Sequence, residues 1–143
     1  MFKSWEIIVT DAIKDTQYSR RAAELSGICS TQETDGIIGE SFSTEKQRLQ
    51  DMPDDELKDF TRKILKDPDD SDFEYIDWIK YDMSKIAAVR EYAIRMKKVS
   101  PDEIDSYIQK EADRLNRVYS KMTEKDIDTI NEIAESNLDE IIK

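Results

Sequence analysis

Carboxylates are the only side chains of this sequence whose number and spacing suit catalysis or metal binding. The chain has 33 Asp and Glu residues, one Cys and no His. Without histidine, neither Ser-His and Cys-His nucleophile pairs nor histidine-ligated zinc can form. Gly27, Gly36 and Gly39, the three glycines, match no phosphate-binding loop. Any catalysis would therefore rest on acidic groups, and we predict a protein without a cofactor, without a bound metal and without enzymatic activity.

Two acidic pairs at i, i+3 spacing are the pattern that comes closest to a metal site, and both fall on predicted helices: Glu56/Asp59 and Glu74/Asp77. Each pair places two carboxylates on one helix face, and facing pairs would supply the oxygen ligands that Mg²⁺ prefers. The pattern resembles the all-helical nucleoside-triphosphate pyrophosphohydrolases, whose paired Glu-x-x-Glu and Glu-x-x-Asp helices bind magnesium. The similarity is confined to these two pairs, and Asp59 stands where that family has glutamate. It implies, as an alternative, a divalent-metal-dependent phosphohydrolase that uses these four residues.

The acidic excess is concentrated in one segment. Residues 51–77 hold 11 acidic and 4 basic residues, a charge of −7 out of the formal net charge of −11. Such a balance disfavours nucleic acids and anionic membranes, and it steers basic proteins toward the surface. We therefore predict a non-enzymatic module that docks a basic partner protein, of the inhibitor, immunity or chaperone type known from small bacterial and phage proteins. The predicted partner-binding residues are the aspartates of this segment and two aromatic residues next to them: Asp54, Asp55, Asp67, Asp69, Asp70, Asp72, Asp77, Trp78 and Tyr81.

Basic residues gather further along the chain, and they allow a competing interpretation. They fall on two successive predicted helices: Arg90, Arg95, Lys97 and Lys98, then Lys110, Arg114 and Arg117. A positive stripe on adjacent helices could bind nucleic acid. The flanking acids and the negative net charge instead favour a solvated face or intramolecular ion pairs, so we predict no nucleic-acid partner.

Composition indicates one folded domain over residues 1–143 in a reducing compartment. Apolar and charged residues each make up 38% of the chain, and Cys29 has no second cysteine with which to form a disulfide. A reduced, cytoplasmic location fits best. No apolar run approaches the eighteen or so residues that cross a bilayer, so we predict no membrane association. Self-association is a further alternative, in which the chain is a homodimer or a homo-oligomeric regulatory subunit.

Apolar residues at helical spacing predict an all-α, single-domain irregular bundle of five or six helices. A long helix over about 72–98, capped by Ser71 or Asp72, is apolar around much of its circumference, which is typical of a central helix. The other predicted helices span about 4–26, 44–50, 53–66, 101–122 and 123–141, with the last two antiparallel to the central one.

Three details of the predicted fold concern local signals. Ser100, Pro101 and Glu103 suit a capped helix start with a capping box. Residues 6–10 fit either helix or strand, and their spacing favours helix. Residues 27–43 carry all three glycines and are predicted to be a loop of the kind that is often mobile or functional.

Overall fold

The computed structural model describes residues 4–66, 73–126 and 129. This part of the chain is helical and confirms the predicted all-α bundle. Residues 6–10 belong to the first helix, as their spacing favoured, and only the first turn of the helix predicted from Thr123 falls within the described residues. The helices are α1 (Trp5–Leu25), α2 (Thr31–Gln50), α3 (Asp54–Ile64), α4 (Tyr75–Met96) and α5 (Pro101–Tyr119).

Helix α4 is the centre of the bundle, as predicted from its broad apolar circumference. Its buried side chains face more than one neighbour, because the principal core joins α4 to α1 and α5 while a second cluster joins it to α2 and α3. The principal core consists of Val9, Ala12, Ile13, Ile79, Met83, Ile86, Val89 and Leu115. Burying each large apolar side chain stabilises the fold by roughly 1.5–3 kcal/mol.

Small residues let α2 and α3 approach the same side of α4. Leu49 of α2 and Leu57 of α3 are fully buried against Ala87 and Ala88, whose short side chains leave room for both helices. Helix α3 runs antiparallel to α4, since Asp54 lies beside Arg95 while Ile64 lies beside Tyr81. This direction fixes which charged groups can meet.

Helix α5 packs mainly against α1, whereas the sequence led us to expect it against α4. The two helices run parallel: Tyr107 meets Thr10 near the start of α1, and the carbonyl oxygen of Met122 accepts a hydrogen bond from Arg21 near its end. Helical periodicity identifies an apolar stripe but does not say which helix covers it. The final predicted helix lies mostly outside the described residues.

The prediction of a loop over residues 27–43 is wrong, because α2 occupies residues 31–50. The short helix expected at 44–50 is the last part of α2. Helix α1 ends in a Schellman turn at Gly27, with φ of 75°, after which Ser30 and Glu33 form a reciprocal capping box that starts α2. Apolar anchors of α2 then pack on the core: Ile37, Ile38 and Phe42. The capping box and these contacts outweigh the weak helical tendency of two glycines.

Two other predicted caps also differ from the structure. Glu74 is the N-cap of α4 and forms a capping box with Asp77, whereas Ser71 and Asp72 lie outside the described residues. Ser100 precedes α5 without a side-chain capping bond, so the capping box expected with Glu103 is absent, while the proline at the helix start is confirmed.

Candidate partner-binding surface

The nine predicted partner-binding residues divide into two groups. Asp67, Asp69, Asp70 and Asp72 lie outside the described residues. Two aspartates belong to the first turn of α3, and the remaining three residues belong to the first two turns of α4. The structure therefore describes the edges of the predicted surface and not its middle: Asp54, Asp55, Asp77, Trp78 and Tyr81.

Pro53 is the N-cap of α3, and the first turn of the helix carries carboxylates. Acidic groups favour this position because the N-terminal end of a helix is its positive end. The Oδ1 atom of Asp54 lies 3.3 Å from Nη1 of Arg95, and 68% of its side chain stays exposed. Asp51, Asp55 and Glu56 are also exposed, and their carboxylates form no hydrogen bond or ion pair with any described residue. This end of α3 presents unneutralised negative charge to solvent.

Asp77 has a structural role in addition to the predicted one. Its Oδ2 atom accepts a hydrogen bond of 3.0 Å from the backbone N–H of Glu74, which completes the capping box of α4. The residue is exposed, so its other oxygen still faces solvent. Asp77 can contribute charge to a partner, but replacing it would also weaken the start of α4.

The two predicted aromatic anchors form an intramolecular cluster with Phe73. The ring centroids of Phe73 and Trp78 are 5.0 Å apart, those of Trp78 and Tyr81 are 6.3 Å apart, and all contacts are edge-to-face. The Tyr81 hydroxyl lies 2.6 Å from the carbonyl oxygens of both Ile64 and Lys66, to which it can donate. The three rings are half-buried, and Tyr81 joins the end of α3 to α4. Their part in partner binding stays a prediction.

The four acidic residues considered for magnesium do not converge. Because α3 and α4 are antiparallel, Glu56 lies eight residues, or about 12 Å of helix, from the end of α3 that meets the first half of α4. Asp59 lies 4.0 Å from Arg62, and Glu74 and Asp77 cap α4. Within residues 4–66 and 73–126, no group of three or more His, Cys, Asp or Glu side chains could hold a metal ion. The metal-enzyme alternative gains no support from this geometry.

Arg95 is a residue whose role the sequence did not reveal. Its guanidinium donates hydrogen bonds to three backbone carbonyl groups at the end of α2, those of Leu49 (2.9 Å), Gln50 (2.8 Å) and Met52. The Nε atom also donates to Glu91 at 2.8 Å. The last carbonyls of a helix lack intrahelical donors, so this arginine satisfies the end of α2. Only the i, i+4 spacing of Glu91 and Arg95 is visible in the sequence.

Arg90 is buried and forms a two-pronged ion pair with Asp105 at the start of α5. Its Nε and Nη2 atoms donate to the two carboxylate oxygens at 2.6 and 3.0 Å, while Glu91 lies nearby. These hydrogen bonds hold the pKa of Asp105 below its ordinary value and raise the pKa of Arg90. A charge-assisted pair of this geometry fixes the position of α5 relative to α4.

The third arginine of the basic group is paired on the surface. Arg114 donates to Glu111 at 2.7 Å, and this bond lowers the pKa of Glu111. Three of the seven basic residues therefore form intramolecular ion pairs, which confirms this expectation for Arg90, Arg95 and Arg114.

The search for similar proteins returned no match: no protein-family model, no curated protein and no solved structure aligns with this chain. Among the described residues, no helix is both long and apolar enough to span a membrane.

Proposed function

We propose that this protein is a non-enzymatic, acidic binding module that docks a basic partner protein in the cytoplasm, in the manner of an inhibitor, immunity protein or chaperone. The observation that carries the proposal is the contrast between its charged groups. Asp51, Asp55 and Glu56 are exposed and unpaired among the described residues, whereas Arg90 and Arg95 are consumed in internal contacts. The charge that remains available to a partner at this end of α3 is therefore negative.

The mechanism has two stages. The net charge of −11 and the acidic segment attract a basic surface over a distance set by salt screening, about 8 Å at physiological ionic strength. Short-range contacts then select the bound orientation, with Trp78 and Tyr81 as the proposed aromatic anchors at the edge of the acidic segment. Attraction of this kind acts mostly on the association rate.

Charge reversal tests the electrostatic stage. The partner is first captured from native lysate on the immobilised protein and released by salt steps, and association rates are then measured with the purified partner. We expect the double substitution Asp55→Lys/Glu56→Lys to slow association several-fold and to flatten its salt dependence. Reversal at Asp69, Asp70 and Asp72 should act in the same direction.

A matched control separates local charge from net charge. Asp102→Lys/Glu103→Lys makes the same change of charge in the first turn of α5, where both residues are also exposed. Equal slowing by the two double variants would contradict a specific surface on α3, and an unchanged rate in the first would refute the proposal outright. Sedimentation of the free chain at micromolar concentration decides the separate prediction of a homodimer.

A further inference from the structure

An apolar cavity of about 360 Å³ opens between three helix ends, and no residue of the acidic first turn of α3 lines it. The first turn of α1 forms one wall through Trp5 and Ile8, the end of α3 contributes Leu65, and the second half of α4 contributes Val89 and Ala93. Protein sites for small molecules commonly measure about 300–1,000 Å³ and are lined mainly by apolar side chains. An apolar cavity of about 150 Å³ already admits benzene, so this one has room for a larger molecule.

The wall of the cavity also contains a polar group without a partner. The Thr61 side chain is 2% exposed, and its hydroxyl forms no hydrogen bond with any described residue. Burying a hydroxyl without a hydrogen bond costs about 1–3 kcal/mol, so such groups normally find a partner. In the present rotamer this oxygen is itself buried, so a hydrogen bond to a molecule in the cavity requires the side chain to adopt the second χ1 rotamer that threonine populates in a helix.

The rim does not select a charged ligand. Glu6 and Lys97 both line the cavity, and they offer one negative and one positive group. The negative potential of the whole protein disfavours an anion, while the apolar walls cannot solvate any buried charge. The chemistry that fits is an uncharged apolar body with a single hydrogen-bonding group.

We infer that this cavity binds a small neutral aliphatic or aromatic molecule that carries one hydroxyl or carbonyl group, with Thr61 as the hydrogen-bonding residue. The inference is independent of the proposed partner surface, because none of the acidic residues of α3 takes part in it. Trp5 packs edge-to-face on Tyr107 at a centroid distance of 5.1 Å, so occupation of the cavity next to Trp5 alters the surroundings of a fluorescent group.

The experiment titrates the full chain with 1-octanol, a neutral alcohol that does not absorb where tryptophan does. Trp78→Phe removes the second tryptophan, which lies in the separate cluster with Phe73 and Tyr81, so the signal comes from Trp5 alone. We expect a saturable change of Trp5 emission and a higher melting temperature. Thr61→Val keeps the shape of the side chain and should weaken octanol binding about three- to ten-fold, while the melting temperature of the free protein stays the same or rises.

A second pair of variants keeps the test decisive if Thr61→Val folds poorly. Val99→Phe places bulk at the rim of the cavity and should abolish the octanol signal, whereas Val118→Phe makes the same change at an exposed site on α5 and should leave it intact. No response of Trp5 up to the solubility limit of octanol would overturn the inference, as would equal effects of the two phenylalanine variants or unchanged affinity in Thr61→Val.

Discussion

The acidic first turn of α3 and the arginines of α4 are both clusters of like charge, and the fold treats them in opposite ways. Arg90 and Arg95 have side chains only 7% and 20% exposed, and each is engaged by carboxylates or carbonyl groups. Asp55 and Glu56 are exposed and have no ionic partner among the described residues. In the sequence both clusters are runs of like charge, and the flanking acids favoured ion pairing only for the arginines.

The difference follows from where each helix sits. Helix α4 is surrounded, so a long cationic side chain on it reaches the end of α2 or the start of α5 and becomes part of the interior. Helix α3 covers one side of the bundle, and its acidic turn faces outward, where Asp54 reaches Arg95 but Asp55 and Glu56 have only the helix dipole to stabilise them. Charge clusters on central helices are therefore candidates for internal structure, and those on peripheral helices are candidates for recognition.

The largest expected effect comes from removing the internal arginine that ends α2. Arg95→Met should lower the free energy of unfolding by about 3 kcal/mol, because it removes the side-chain donor from the carbonyl groups of Gln50 and Met52 and the hydrogen-bonded partner of the mostly buried Glu91. Urea unfolding followed by circular dichroism at pH 7 measures it. Arg117→Met is the control, since Arg117 is exposed and forms no ion pair with any described residue. Equal losses of unfolding free energy in the two variants would show that the contacts of Arg95 with the end of α2 do not stabilise the fold.

A smaller and pH-dependent effect is expected at Asp105. Asp105→Asn should cost about 1 kcal/mol at pH 7, because 45% of this side chain is exposed and solvent screens its pair with Arg90. The hydrogen bonds from Arg90 lower the pKa of Asp105 in the folded protein below the ordinary aspartate value of 3.8. Its contribution is therefore fully present above about pH 5 and is lost as the pH falls through the folded pKa.

Unfolding curves at several pH values test this dependence. The difference in stability between the wild type and Asp105→Asn should be constant from pH 7 to about pH 5 and should shrink below about pH 4. A difference that grew on acidification would mean that the carboxylate is stabilised in its protonated form, contrary to the observed hydrogen bonds from Arg90.

The smallest effect on stability is expected in the exposed acidic turn of α3. Asp55→Asn should change the free energy of unfolding by less than about 0.5 kcal/mol, because Asp55 is exposed and its only described support is the dipole of α3. Thermal melts at pH 7 measure the change. A loss above about 1 kcal/mol would show that Asp55 has an internal role and would remove the distinction between the two clusters.

Much of the fold was predictable from helical spacing, since α1, α3, α4 and α5 lie within a few residues of the expected ranges. The exception is α2, where Gly36 and Gly39 suggested a loop. A Cβ atom at either glycine would meet nothing within 4 Å, so neither is required by close packing. The signal that the prediction missed is the Ser30-Thr-Gln-Glu33 capping box, which has the expected S-x-x-E spacing.

The candidate site was less predictable, for reasons that concern contacts distant in sequence. Residues 95 and 49 interact across 46 positions, and no periodicity within one helix points to that contact. The exposure of Asp55 follows from the peripheral place of α3, which depends on how Leu57 packs against α4. Composition gives the formal net charge of −11, but which charges remain available to a partner is decided by the arrangement of helices.

The parallel pairing of α1 with α5 also bears on how the chain folds. Thr10 and Tyr107, which share a hydrogen bond, are 97 residues apart, and Arg21 and Met122 are 101 apart. Closing a loop of that length costs about 1.7 kcal/mol more entropy than closing one of about 15 residues. Contacts of high sequence separation slow folding, and α2, α3 and α4 can form local contacts with one another before this interface closes. Synthesis must therefore pass residue 119 before α1 can bury its second face, and until then the growing chain exposes an apolar stripe that the finished bundle hides.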